Sequence, residues 1–96
     1  MGASSPSTIT FAIWGPIARE DLPGLSERVC TLLERTGASV AHCDVSGVAA
    51  DAVTVEALAR LQLAARRRRC LIRMRNASDE LRGLVEFMGL RDVITS

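Results

Sequence analysis

The stretch Ser39–Arg69 constrains the fold more than any other part of the chain. Val40, Ala41, Cys43 and Val45 form a nearly continuous apolar run that ends at Asp44-Val45-Ser46-Gly47. Such a run predicts a strand over Ser39–Val45, covered on both faces of a sheet. A helical pattern springs from the turn that follows. It begins near Ala52–Thr54, extends to about Arg68, and carries Val55, Leu58, Leu61, Leu63 and Ala65 as its apolar residues. Strand, short polar turn and helix make the repeating unit of α/β sheets. Function in such sheets gathers where a strand's carboxyl end meets the next helix N-terminus. That places the region of interest between Asp44 and Thr54.

The flanking segments extend the same alternation. Thr8–Trp14 is rich in β-branched and aromatic residues and reads as a first strand, ended by the turn pair Gly15-Pro16. A first helix follows, with Asp21 as its cap, Pro23 in its first turn, and Leu25, Val29, Leu32 and Leu33 on one face. Thr36-Gly37 stops it. Cys70–Arg75 reads as a third strand, with one face only partly covered. Ser78 caps a third helix whose first turn holds Asp79 and Glu80, where the helix dipole favours acids. Leu81, Leu84, Val85 and Met88 form its apolar stripe, and Gly89 closes it. Leu90 and the Val93-Ile94 pair are expected to add a last apolar contact. The order is βαβαβα, an α/β layer with a small, mostly parallel sheet joined by right-handed crossovers. Residues 1–7 are small and polar and are expected to be disordered, leaving one domain over 8–96.

Composition excludes several functions. A net charge of +1 gives no general attraction to nucleic acid, and only three aromatics (Phe11, Trp14, Phe87) are present to stack on bases. No run approaches the roughly 20 apolar residues of a membrane span, and no signal-peptide pattern precedes Thr8. A cytoplasmic domain is expected. The three cysteines, Cys30, Cys43 and Cys70, are odd in number, widely spaced and set in apolar segments, which points to free buried thiols. His42 neighbours Cys43 along a strand, so the two point to opposite faces and form no nucleophile–base pair. There is no CxxC, no GxGxxG and no phosphate-binding loop. No metal, cofactor or catalytic residue is expected. The run Arg66–Arg69 stands at a helix C-terminus, where cations complement the dipole. Asn76-Ala77-Ser78 matches a glycosylation sequon, but Ser78 is better used as a cap.

Asp44-Val45-Ser46-Gly47-Val48, then Asp51, Ala57-Leu58-Ala59-Arg60-Leu61, Ile72-Arg73-Met74-Arg75-Asn76-Ala77-Ser78, Leu81-Arg82-Gly83-Leu84 and Gly89-Leu90 together resemble a STAS domain. That is the domain of anti-sigma-factor antagonists and of sulphate-transporter tails, and the resemblance covers about Thr8 to Ile94. It implies partner switching, not catalysis. In the family, a serine of a D-S-S-G motif at the start of the second helix is phosphorylated by a kinase that doubles as the anti-sigma factor. The unphosphorylated form binds that kinase.

The equivalent here reads Asp51-Ala52-Val53-Thr54, and the loop before it is one residue shorter. Both serine positions are apolar, and the one hydroxyl, on Thr54, stands where the family has glycine. The resemblance therefore implies a partner-binding turn made of Asp44, Ser46, Gly47, Asp51, Ala52, Val53 and Thr54, with Thr54 as helix cap or candidate phosphoacceptor. Two partner classes stay open: an anti-sigma factor with a kinase-like fold, or the ATPase of an ABC-type lipid transporter that a free-standing STAS subunit braces. STAS domains usually carry a further strand before the Thr8–Trp14 equivalent. Its absence here would leave a bare edge, which predicts a homodimer with Trp14 as an anchor.

Overall fold

The computed structural model describes residues 7–89. Leu90 and the Val93-Ile94 pair lie outside the described residues, as do residues 1–6. Strands β1 (Thr8–Trp14), β2 (Val40–Gly47) and β3 (Leu71–Arg75) alternate with helices α1 (Leu22–Thr36), α2 (Ala52–Arg67) and α3 (Asp79–Phe87). The sheet order is β1-β2-β3, and both pairings are parallel. The βαβαβα alternation expected from the sequence is thus the fold.

Local chemistry sets each boundary. Asp21 precedes α1, but its carboxylate serves the 3-10 turn Arg19–Asp21 by accepting the Ala18 N–H (3.0 Å), and it makes no bond to α1. Gly37 ends α1 at φ +62°, a left-handed cap that costs glycine little, and its N–H reaches the Leu33 carbonyl. Ser78 Oγ accepts the Leu81 N–H at 3.1 Å and starts α3 as expected.

The strands alternate in burial. Ile13, Ala41, Cys43, Val45, Ile72 and Met74 point inward, into one core cluster with Leu22, Val29 and Leu33 of α1, Val55, Leu58, Leu61 and Ala65 of α2, and Leu81 and Val85 of α3. Thr10, Ala12, Trp14, His42, Asp44, Ser46, Arg73 and Arg75 occupy the other face, half-buried or exposed. β2 is therefore covered on one face, not two. Successive right-handed crossovers that all advance in one direction lay every helix on the same side of the sheet. Leu63, expected among the apolar positions of the second helix, is 53% exposed because it falls outside the buried face, and Leu71 at the start of β3 is 39% exposed. Gln62, on the buried side of α2, donates from Nε2 to the Ile72 carbonyl (2.8 Å) and ties α2 to β3.

Candidate functional site

The β2–α2 connection is short: β2 ends at Gly47 and α2 begins at Ala52. Asp44, Ser46 and Gly47 sit on its strand side. Asp44 Oδ1 accepts the Ser46 N–H at 2.9 Å and the Asn76 side-chain amide at 3.3 Å. The Ser46 backbone N–H, then its hydroxyl, then Asn76 hold the Asp44 carboxyl below the usual carboxylate range. Asn76, at φ +62° after β3, thus ties the third strand's end to the second's. Asparagine tolerates that backbone conformation better than most residues. The sequence singled out Asn76 only as a sequon and family residue, and its role as a partner of Asp44 needed the strand register.

Gly47 is required for a different reason. A Cβ at this position would run into the indole of Trp14, which lies over Gly47 while remaining 73% exposed. The Gly15 N–H donates to the Gly47 carbonyl (3.0 Å), so the ends of β1 and β2 are fastened together beneath that ring. Ser46 is exposed.

On the helix side, Asp51 is the N-cap. Its Oδ1 accepts the Thr54 N–H at 2.8 Å. Asp51 and Ala52 are exposed and Val53 is half-buried. Thr54 is 0% exposed, and its hydroxyl has no hydrogen-bond partner among the described residues. Two expectations change here. Thr54 is not the cap, because Asp51 holds the N-cap position and its carboxylate accepts the Thr54 N–H. Nor is the Thr54 hydroxyl a surface group. A kinase would reach it only after the first turn of α2 had opened.

The rest of the open sheet face is polar. Arg75 Nε donates to His42 Nδ1 at 3.0 Å, and Thr10, His42, Asp44, Arg75 and Asn76 line a shallow depression of about 390 Å³. His42 serves there as a hydrogen-bond acceptor. No group of three or more His, Cys, Asp or Glu among the described residues is placed to hold a metal. Cys43 and Cys70 are buried and Cys30 is partly so, all free. Burial, with the Asp44 charge second, pushes the Cys43 thiol up to about 12, which keeps it protonated and unreactive near neutral pH. Within the arginine run, Arg68 pairs with Glu34 of α1 at 2.9 Å while Arg66, Arg67 and Arg69 are exposed. No helix among the described residues is long and apolar enough to cross a membrane.

The model of the family described as "Mlab, STAS domain" matches residues 3–95. The chain belongs to the STAS domain family. Among curated proteins, none matches it. The match covers all three strands and all three helices of this STAS domain, and the β2–α2 turn lies in its middle.

Proposed function

We propose that this STAS domain is a non-enzymatic interaction module that binds its partner through the β2–α2 turn, in the manner of an anti-sigma-factor antagonist. The observation that carries the reading is the turn itself: Ser46, Asp51 and Ala52 are exposed on a connection fastened at both ends. Function-bearing loops held by a rigid scaffold are where α/β proteins meet their ligands. The partner in this reading is an anti-sigma factor with a kinase-like fold.

The same turn favours a second reading. Ala52 and Val53 occupy the positions where the resemblance expects serines, and the Thr54 hydroxyl is buried. A surface without an accessible hydroxyl at those positions suits a permanent contact better than a phosphate-controlled one. A subunit that braces the ATPase of an ABC-type lipid transporter is such a contact.

Affinity capture from the source organism's lysate tests both, using wild type beside Ala52→Glu. The substitution adds an acid at a helix N-terminus, which the dipole tolerates, while placing charge on an apolar spot of the turn. Recovery of a kinase-like anti-sigma factor by wild type and its loss with A52E supports the first reading. Recovery and loss of an ABC ATPase supports the second. A partner captured equally by both baits removes the turn from the interface.

A further inference from the structure

Both edges of the sheet are open among the described residues, and they differ in kind. Natural proteins blunt a sheet edge with short strands, charges, prolines or covering elements. β3 is blunted: it has five residues, and two of them, Arg73 and Arg75, are charged. β1 is not. Its seven residues, TITFAIW, include no charge and no proline, and six of them are β-branched or aromatic. Half of its backbone N–H and C=O groups face away from β2.

The side chains of β1 tell the same story. Ile9 and Phe11 point toward the helices, yet they are only half-buried where the matching β2 residues Ala41 and Cys43 are fully buried. Nothing among the described residues flanks them on the outer side. On the opposite face the same strand carries the 73% exposed Trp14, the largest side chain the molecule leaves in water at this end.

We infer that β1 is a self-association edge, pairing antiparallel with β1 of a second copy of this chain about a two-fold axis at Phe11. An isologous contact of this kind needs a self-complementary strand, and an uncharged strand is complementary to itself. With Phe11 on the axis, Phe11 meets its own equivalent on the helix side, and Ile9 faces Ile13 of the second copy there. Thr10 faces Ala12 and Trp14 faces Thr8 on the open side. Faces match at every pair because paired positions differ by an even number. The indole, seated over Gly47 with most of its surface in water, then gains Thr8 of the second copy on its outer side. The two sheets become one continuous six-stranded sheet whose β2–α2 turns point in opposite directions, so the dimer offers two partner sites at its two ends. The inference rests on the edge alone and holds whatever the turn binds.

A seven-residue edge covers less surface than the roughly 800 Å² per partner of a standard interface, so association belongs in the micromolar range. Sedimentation equilibrium across that range, with Trp14 emission recorded on the same samples, is the test. Trp14 is the chain's one tryptophan, so its emission reports the end of β1, where Gly47 lies on one side of the ring and Thr8 of the second copy would lie on the other. The expected result is a mass rising from 10.3 kDa to twice that value, with emission moving to the blue in step. Thr10→Lys combined with Ala12→Lys sets like charges opposite one another at the pair, on exposed positions that the fold does not need. This variant is expected to keep its circular dichroism and stay monomeric. A wild type that stays monomeric overturns the inference. So does a dimer whose emission does not shift, and so does a dimer that the double-lysine variant forms as readily.

Discussion

Thr54→Val should stabilise the protein. Thr54 is fully buried in the first turn of α2, and its hydroxyl has no partner among the described residues. A buried hydroxyl left without a hydrogen bond costs about 1–3 kcal/mol of desolvation. Valine has the same outline and a nearly equal helix propensity, so the swap removes that cost and adds a methyl to an apolar site. The backbone bond from the Thr54 N–H to Asp51 is untouched. A gain of about 1–3 kcal/mol is expected, and each kcal/mol raises Tm by roughly 4–8 °C in a domain of this size. Urea denaturation gives the number directly, provided the slope with denaturant stays that of wild type. Thr54→Ser is the control: it keeps the hydroxyl and loses the methyl, and should cost about 1 kcal/mol through lost packing. The reasoning is refuted if T54V is less stable than wild type while T54S is nearly neutral. That pattern would mean the hydroxyl holds a bond worth more than its burial costs.

Three further outcomes follow from the site. Ala52→Glu should raise stability by roughly 0.3–1 kcal/mol through the helix dipole while weakening partner capture; thermal melts beside the capture experiment separate the two effects, and a loss of stability would count against the dipole argument. Asp44→Asn should lower stability at neutral pH. Because the folded state holds the Asp44 carboxyl below its ordinary value, the wild-type advantage is full above about pH 4 and shrinks as pH falls through the folded value; denaturation of both proteins from pH 7 to 3 measures it, and a gap that widens in acid contradicts the assigned bonds. Gly47→Ala should drive the Trp14 indole off its seat at a cost of about 1 kcal/mol, read as a change in tryptophan emission and quenching with the fold retained; unchanged emission would mean the ring does not rest where the Cβ must go.

Much of the architecture was legible in the residues. Turn residues at Gly15-Pro16 and Thr36-Gly37 and the cap at Ser78 marked boundaries that the structure keeps. The open sheet face was legible too, since His42, Asp44 and Ser46 alternate with Ala41, Cys43 and Val45. Two small apolar residues beside a histidine gave the appearance of a continuous apolar run, and the polar alternation was the truer signal. The depth of Thr54 was not legible. Asp51, Thr54 and Ser46 are all short polar residues with capping ability, and only the register of α2 on the sheet decides which faces inward. The pairing of Asp44 with Asn76 bridges 32 positions. It depends on β2 and β3 lying side by side in parallel with Asp44 level with Arg75, which no local pattern encodes.

The turn is presented already set. Its strand side is held by the Gly15–Gly47 backbone bond and by Asp44 gripping Ser46 and Asn76; its helix side is held by Asp51 on Thr54. A partner docking there meets few loose groups to order, and ordering is a main cost of association. Arg19 and Arg60 both pair with Glu56 one turn along α2, and they hold its carboxyl below its usual range. That network is solvent-exposed, so salt screens it and it lends the helix little. Preorganisation of the turn therefore rests on the Asp44–Ser46 and Asp51–Thr54 bonds, which salt weakens far less because each closes onto backbone within three residues. Raising ionic strength should release Glu56 from its arginines and leave the turn's geometry nearly unchanged.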